Sequence, residues 1–205
     1  MLLDTLKLVL LENVPILTIL FVTLVTVRYF YLKNHREHFI FYKECLTILG
    51  AMYIILLFQL VTKVDFNQSS GYNLVPFVEI FRYDIGSTLF NYNVFGNILS
   101  FLVFGILISS YIRPKNALPI FLSSTFVSAT IEFVQYNIGR SFDVDDIILN
   151  VIGGLLGYLL YVALVRIKKY LPKILQSDTI YNILCLIILA VIIIFLLRFW
   201  RIADI

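Results

Sequence analysis

Charge is what this 205-residue chain has least of. Only 14% of its residues are Asp, Glu, Lys or Arg, against about 25% in an ordinary soluble domain. Cysteine and histidine are scarce as well, with two residues each. Cys45 and Cys185 stand in or beside apolar runs without a Cys-x-x-Cys spacing, so they read as small hydrophobes and not as a disulfide or a metal site. His35 and His38 are the whole supply for histidine chemistry, and no HExxH, P-loop or nucleophile-elbow pattern occurs. The formal charge of +3 is small and scattered between apolar blocks, so no nucleic acid partner is expected. The N-terminus does not read as a cleaved signal peptide: Asp4 and Glu12 stand where a basic region belongs, and no small-residue cleavage site follows.

What the chain does have is apolar residues. They make up 60% of it, with a mean hydropathy of +0.94, more than a soluble protein of this size could hide from water. They also come in long blocks, which excludes a β-barrel and a disordered chain. The expected fold is all-α, a polytopic transmembrane helical bundle of about six spans, since a crossing needs roughly 20 apolar residues. The candidate spans are 8–27, 46–62, 94–112, 117–136, 147–165 and 180–197, with a long polar-aromatic loop over 63–91. They leave no room for a soluble domain and divide the chain into 1–45, 46–170 and 171–205, an N-terminal span with a basic loop, a four-span core and a C-terminal span.

The basic residues suggest an orientation. Arg28, Lys33, Arg36 and Lys43, then Arg113 and Lys115, then Arg166, Lys168, Lys169 and Lys173 put ten on one side. Lys63, Arg82 and Arg140 put three on the other, or six with Lys7, Arg198 and Arg201 of the tails. The ten-charge side is expected to face the cytoplasm, with both termini outside a cell membrane that the chain crosses several times.

The polar exceptions cluster between Ser128 and Gly157. Glu132 and Gln135 are three apart and share a helical face near the end of the fourth span. Arg140, Asp143, Asp145 and Asp146 fill the connection that follows, and Asp146, Asn150, Gly153 or Gly154, and Gly157 recur at helical spacing. That stripe sets a carboxylate and an amide above a glycine seam where another helix backbone can approach. Asn97, Ser100 and Gly105 form a second stripe on the third span, and Asn97 should face other helices because a buried unpaired amide costs several kcal/mol. The expected functional cluster is therefore Asn97, Glu132, Gln135, Arg140, Asp143, Asp145, Asp146 and Asn150, opening outside the cytoplasm. Glu132 and Arg140 serve equally well as a structural ion pair, and Asp143 or Asp145 as an ordinary helix N-cap. The three aspartates give too few ligands on too short a frame for a calcium loop, so no metal and no cofactor is expected. Even so, an ionisable residue inside a membrane is by default a candidate site.

These residues carry a resemblance. Asn73-Leu-Val-Pro-Phe77, Asn97-Ile-Leu, Phe104-Gly105, Ser128-x-x-Ile-Glu132-x-x-Gln135, Arg140-Ser-Phe-Asp143-Val-Asp-Asp146 and Asn150-x-x-Gly153 with Gly157 together resemble the VanZ-like family of integral membrane proteins, over about 73–158. A proline expected before Phe104 is Val103 here. The resemblance implies reduced susceptibility to the lipoglycopeptide teicoplanin and carries no agreed catalytic residues. On it, the expected partners are membrane lipid and a lipoglycopeptide antibiotic or cell-wall lipid precursor, bound as an amphipathic ligand by a protein that is not an enzyme. An alternative is a membrane enzyme acting on a lipid or polyprenyl-linked substrate, with Glu132 as general base and Arg140 orienting a phosphate or carboxylate. A small transporter is a third reading, weakened by the lack of an internal repeat.

Overall fold

The computed structural model of the chain describes residues 2–35, 38–62, 71–82, 84 and 86–203, with side chains for 14–35, 38–57, 59, 71–82, 84, 86–91 and 93–194. The first part of the long loop (63–70) and the side chains of Lys7, Glu12, Arg36, Lys63, Arg198 and Arg201 lie outside the described residues.

The chain is helical almost throughout, in the order α1 (Leu2–His35), α2 (Phe41–Thr62), β1 (Tyr72–Asn73), a 3-10 turn (Ile80–Arg82), α3 (Thr88–Phe90), α4 (Gly96–Ile112), α5 (Leu118–Asn137), β2 (Phe142–Asp143), α6 (Val144–Tyr170), a second 3-10 turn (Lys173–Gln176) and α7 (Asp178–Ala203). Among the described residues, four helical stretches are long and apolar enough to cross a membrane: Val14–His35, Thr88–Ile112, Leu118–Asn137 and Val144–Tyr170. The protein is a membrane protein of nearly all-α fold, with α2 and α7 covering the second and sixth expected spans. The third span begins earlier than its apolar run suggests, because a π-helical turn, Asn91–Phe95, joins α3 to α4. The helices of the first and fifth spans, α1 and α6, likewise outrun their apolar runs.

Local sequence explains the ends. Pro119 sits in the first turn of α5, where its missing N–H is not needed, and the Asn116 side chain accepts from the Leu118 N–H at 3.2 Å. Helix α5 stops in a Schellman turn: Gly139 takes φ +88°, its N–H reaches the Tyr136 carbonyl at 3.2 Å, and the Arg140 N–H reaches the Gln135 carbonyl at 3.0 Å. The turn sends the chain into β2, which pairs in parallel with β1, Tyr72 beside Phe142 and Asn73 beside Asp143. Asp143 then caps α6, its Oδ1 accepting from the Asp145 N–H at 2.9 Å.

The chain divides into two compact units, Met1–Met52 with Ile167–Ile205, and Tyr53–Arg166. In the first, Arg28 grips the buried Glu44 through two nitrogens, at 2.6 and 3.2 Å, and the Tyr42 N–H and hydroxyl donate to Asn182 and Asp178, both at 3.0 Å. In the second, Leu57, Phe101, Phe104 and Ile131 form the apolar core, with Tyr53, Ile108 and Val127 packed on it. Tyr53 donates its hydroxyl to the Ser100 carbonyl.

Helix α5 shows how a bilayer inverts the usual pattern. Its buried side chains include Ser124, Ser128, Glu132 and Gln135, whereas Phe126 is 75% exposed and faces outward. Outward hydroxyls close on their own helix, Thr125 on the Phe121 carbonyl and Thr130 on that of Phe126, both at 2.8 Å. Glycines let α6 lie directly on α4: a Cβ at Gly157 would strike the Leu102 carbonyl, one at Gly153 the Ile98 carbonyl, and one at Gly105 the Gly154 carbonyl. Gly154 is closed off by the Ser124 hydroxyl.

This packing separates two kinds of glycine. Gly157→Ala and Gly105→Ala are expected to lower stability by about 1–3 kcal/mol, because backbone must shift to admit the methyl group. Gly96→Ala meets nothing within 4 Å and should be neutral or stabilising. Thermal unfolding in detergent and membrane abundance would check the contrast.

Candidate functional site

A cavity of about 470 Å³ lies in the Tyr53–Arg166 unit, where β1, β2 and the first turn of α6 meet. Its walls carry Asn73, Glu79, Arg82, Asn93, Arg140, Ser141, Asp143, Asp145 and Asp146, with Gly71, Tyr72, Ile80, Val94 and Leu149 between them. Four residues expected from the sequence therefore line one space: Arg140, Asp143, Asp145 and Asp146.

The three aspartates do different things. Asp145 is 1% exposed, and its carboxylate is taken up by backbone: Oδ1 accepts from the Phe77 N–H at 2.5 Å, and Oδ2 from the Glu79 and Ile80 N–H groups at 2.8 and 3.2 Å. It fastens the Phe77–Ile80 segment, in which Phe77 holds φ 71°, a conformation that a side chain disfavours by about 1 kcal/mol or more. Asp143 accepts through Oδ1 from the Asn73 amide at 3.1 Å as well as from Asp145, and its own N–H donates to Glu132 Oε2 at 2.9 Å. Burial holds the Asp143 carboxyl above the usual carboxylate range, against the opposing pull of the Asp145 N–H and the Asn73 amide. Asp146 faces the cavity with one oxygen on the Asn97 amide at 2.6 Å. With the Asp145 oxygens occupied by backbone, the trio does not pool its carboxylates. Among the described residues no group of three or more His, Cys, Asp or Glu is placed to hold a metal ion.

The other four expected residues stand behind the wall. Glu132 is 1% exposed and Gln135 is buried too, and neither lines the cavity. The return of the chain through Gly139 to β2 lays Asp143 over Glu132 and covers that end of α5. The positive charge of Arg140 acts on both Glu132 and Asp146. Asn97 reaches the cavity only through Asp146. Asn150 lies a turn deeper, where its amide donates to the Ser128 hydroxyl at 2.9 Å while its Oδ1 is buried with no partner.

Sequence reasoning passed over Asn73, Glu79, Arg82 and Asn93 as site residues. Asn73 had a signal, since it opens the Asn73–Phe77 motif; its amide spans the site, accepting from the Val75 N–H at 3.1 Å and donating to Asp143. Glu79 and Arg82 are three apart and pair at 3.0 Å, a spacing visible in the sequence but common on any surface.

Among known proteins, a family model described as VanZ/LLP1 matches residues 39–166, which include every residue of the cavity wall. No curated protein and no solved structure matches the chain.

Two outcomes follow from the division among the aspartates. Asp145→Asn puts an NH₂ against backbone donors and should cost about 3 kcal/mol, whereas Asp146→Asn keeps an acceptor for Asn97 and should cost under about 1 kcal/mol; melting of the purified variants checks this. For Asp143, a raised folded pKa means stability that is full below the unfolded value of about 3.9 and is lost as pH climbs through the folded value. Asp143→Asn should remove that decline, read as the difference between wild-type and variant melting temperatures across acidic pH.

Proposed function

The chain belongs to the VanZ/LLP1 family, and from that premise we propose that it binds the polar head of a membrane-anchored amphipathic molecule on the extracytoplasmic side, and that this binding lowers susceptibility to lipoglycopeptide antibiotics. The observation that carries the reading is the cavity itself. At about 470 Å³ it falls within the roughly 300–1,000 Å³ of small-molecule sites, and it is walled by charged and amide side chains at one end of membrane-spanning helices. A space of that size suits the head of a lipid-linked cell-wall precursor or part of a lipoglycopeptide, with the acyl portion left in the bilayer. Arg140 and Asp146 are the binding residues, one for anionic and one for hydrogen-bond-donor groups of the ligand. Arg82 and Arg140 border the cavity on the side poor in Lys and Arg, which supports an extracytoplasmic opening.

Binding is favoured over catalysis because Glu132, the strongest candidate for a general base, is buried and spends Oε2 on the Asp143 N–H. The described residues of the wall include no histidine or cysteine.

The test is teicoplanin susceptibility of strains lacking the protein or carrying Asp146→Asn or Arg140→Ala, with membrane abundance scored beside it. Loss of most of the resistance at normal abundance is expected for both variants. Unchanged susceptibility to teicoplanin and to other antibiotics directed at lipid-linked precursors, in the strain lacking the protein, would sink the proposal. A lipid species missing from a Glu132→Gln strain would instead favour the enzyme.

A further inference from the structure

The segment that forms the outer wall of the cavity is built inside out. Between β1 and the 3-10 turn, the polar side chains of Asn73 and Glu79 turn into the cavity. Of the apolar ones, Ile80 lines the cavity and the others turn away: Leu74 and Val75 are each 62% exposed, and Phe81 is 76% exposed, with Phe77 and Val78 beside them at half or more. A loop in water would show the reverse, and a contiguous outward apolar patch of this kind marks a surface that meets something apolar.

The backbone makes the same point independently. The N–H groups of Phe77, Glu79 and Ile80 all end on the Asp145 carboxylate. That of Val75 ends on the Asn73 side chain, and that of Phe81 on the Phe77 carbonyl at 3.2 Å. Pro76 has none to satisfy. Surface loops leave such donors to water, whereas irregular backbone at membrane depth must satisfy them within the protein. Asp145, which collects them, belongs to the first turn of the membrane-spanning stretch Val144–Tyr170, so the loop is tied to the level at which that helix enters the bilayer.

We propose that the Leu74–Phe81 loop is an interfacial membrane anchor, its apolar side chains sunk into the headgroup–acyl boundary of the leaflet beside the cavity. The occupant of the patch is lipid, not a second copy or another protein, because the loop is tied through Asp145 to the end of a span and five of its backbone N–H groups, those of Val75, Phe77, Glu79, Ile80 and Phe81, are already taken up within the protein. The inference does not depend on what the cavity binds.

Trp200 is the one tryptophan of the chain, so a Trp200→Phe background makes Phe81→Trp a clean probe in the full chain. The protein is reconstituted into phosphatidylcholine–phosphatidylglycerol vesicles. At a depth of about 5–10 Å, emission should be blue-shifted, quenched more by lipid brominated near the top of the acyl chain than by lipid brominated at its end, and little affected by aqueous iodide. Strong iodide quenching without bromolipid quenching would place the loop in water and overturn the proposal. Shielding from both quenchers would overturn it as well, in favour of a second copy or a partner segment over the patch. Deeper bromines quenching more strongly would place the loop inside the hydrocarbon and exclude an interfacial anchor. If Phe81→Trp is not monodisperse in detergent, Leu74→Trp carries the same readout.

Discussion

Hydrocarbon offers no hydrogen bond, so each polar group that the spans carry into the bilayer has to find its partner within the protein. The arrangement of the Tyr53–Arg166 unit follows from that constraint. Thr125 and Thr130 meet it by closing on their own helix, and remain lipid-facing. Glu132, Asn97, Asp146 and Asn150 cannot close locally and so turn toward neighbouring elements, where the Asp143 N–H, each other and Ser128 receive them. The buried side-chain atoms still without a partner, Gln59 Oε1, Ser109 Oγ, Ser124 Oγ and Asn150 Oδ1, are few among the described residues.

Close helix approach makes this pairing possible. A hydrogen bond from Asn97 to Asp146 at 2.6 Å requires the start of α6 to lie against α4, and the glycines at 105, 153 and 157 remove the side chains that would hold the backbones apart. Side-chain contact runs alongside, with Phe101 against Gly153 and both Phe101 and Phe104 in the core. The Schellman turn at Gly139 then sends the chain back over α5 instead of away from it. Packing, turn and polar pairing thus converge on the cavity, whose outer wall hangs on the carboxylate of Asp145.

Much of this was legible beforehand, because helical periodicity is a local property. The Glu132/Gln135 face, the Asp146–Asn150–Gly157 stripe and the Asn97 stripe each follow from spacing alone, and all three point into the unit. Which of these residues reach open space was not legible. Glu132 and Gln135 share a face with no sign of what covers it, and the cover is β2, set there by pairing with a strand some seventy residues earlier. Asn73 and Glu79 join the wall for the same reason. Their register depends on the Asp145 carboxylate meeting backbone N–H groups, and backbone donors leave no trace in residue identity. The basic residues were read as an orientation signal, yet Arg28 also grips Glu44, a partnership across a helix–helix connection that charge counting does not see.

Composition and periodicity by themselves determined that the chain lives in a bilayer as a helical bundle and that the charges at odds with its apolar blocks cluster between Glu132 and Asp146, since both depend on what a few consecutive residues present to lipid. Only the tertiary structure decided what each of those charges does. Asp145 became a fastener, Glu132 a buried support and Asp146 a group facing the cavity, although they are the same chemistry within fifteen residues. The reason is that a carboxylate acts through whatever donors surround it, and here those donors come from segments far apart in the chain.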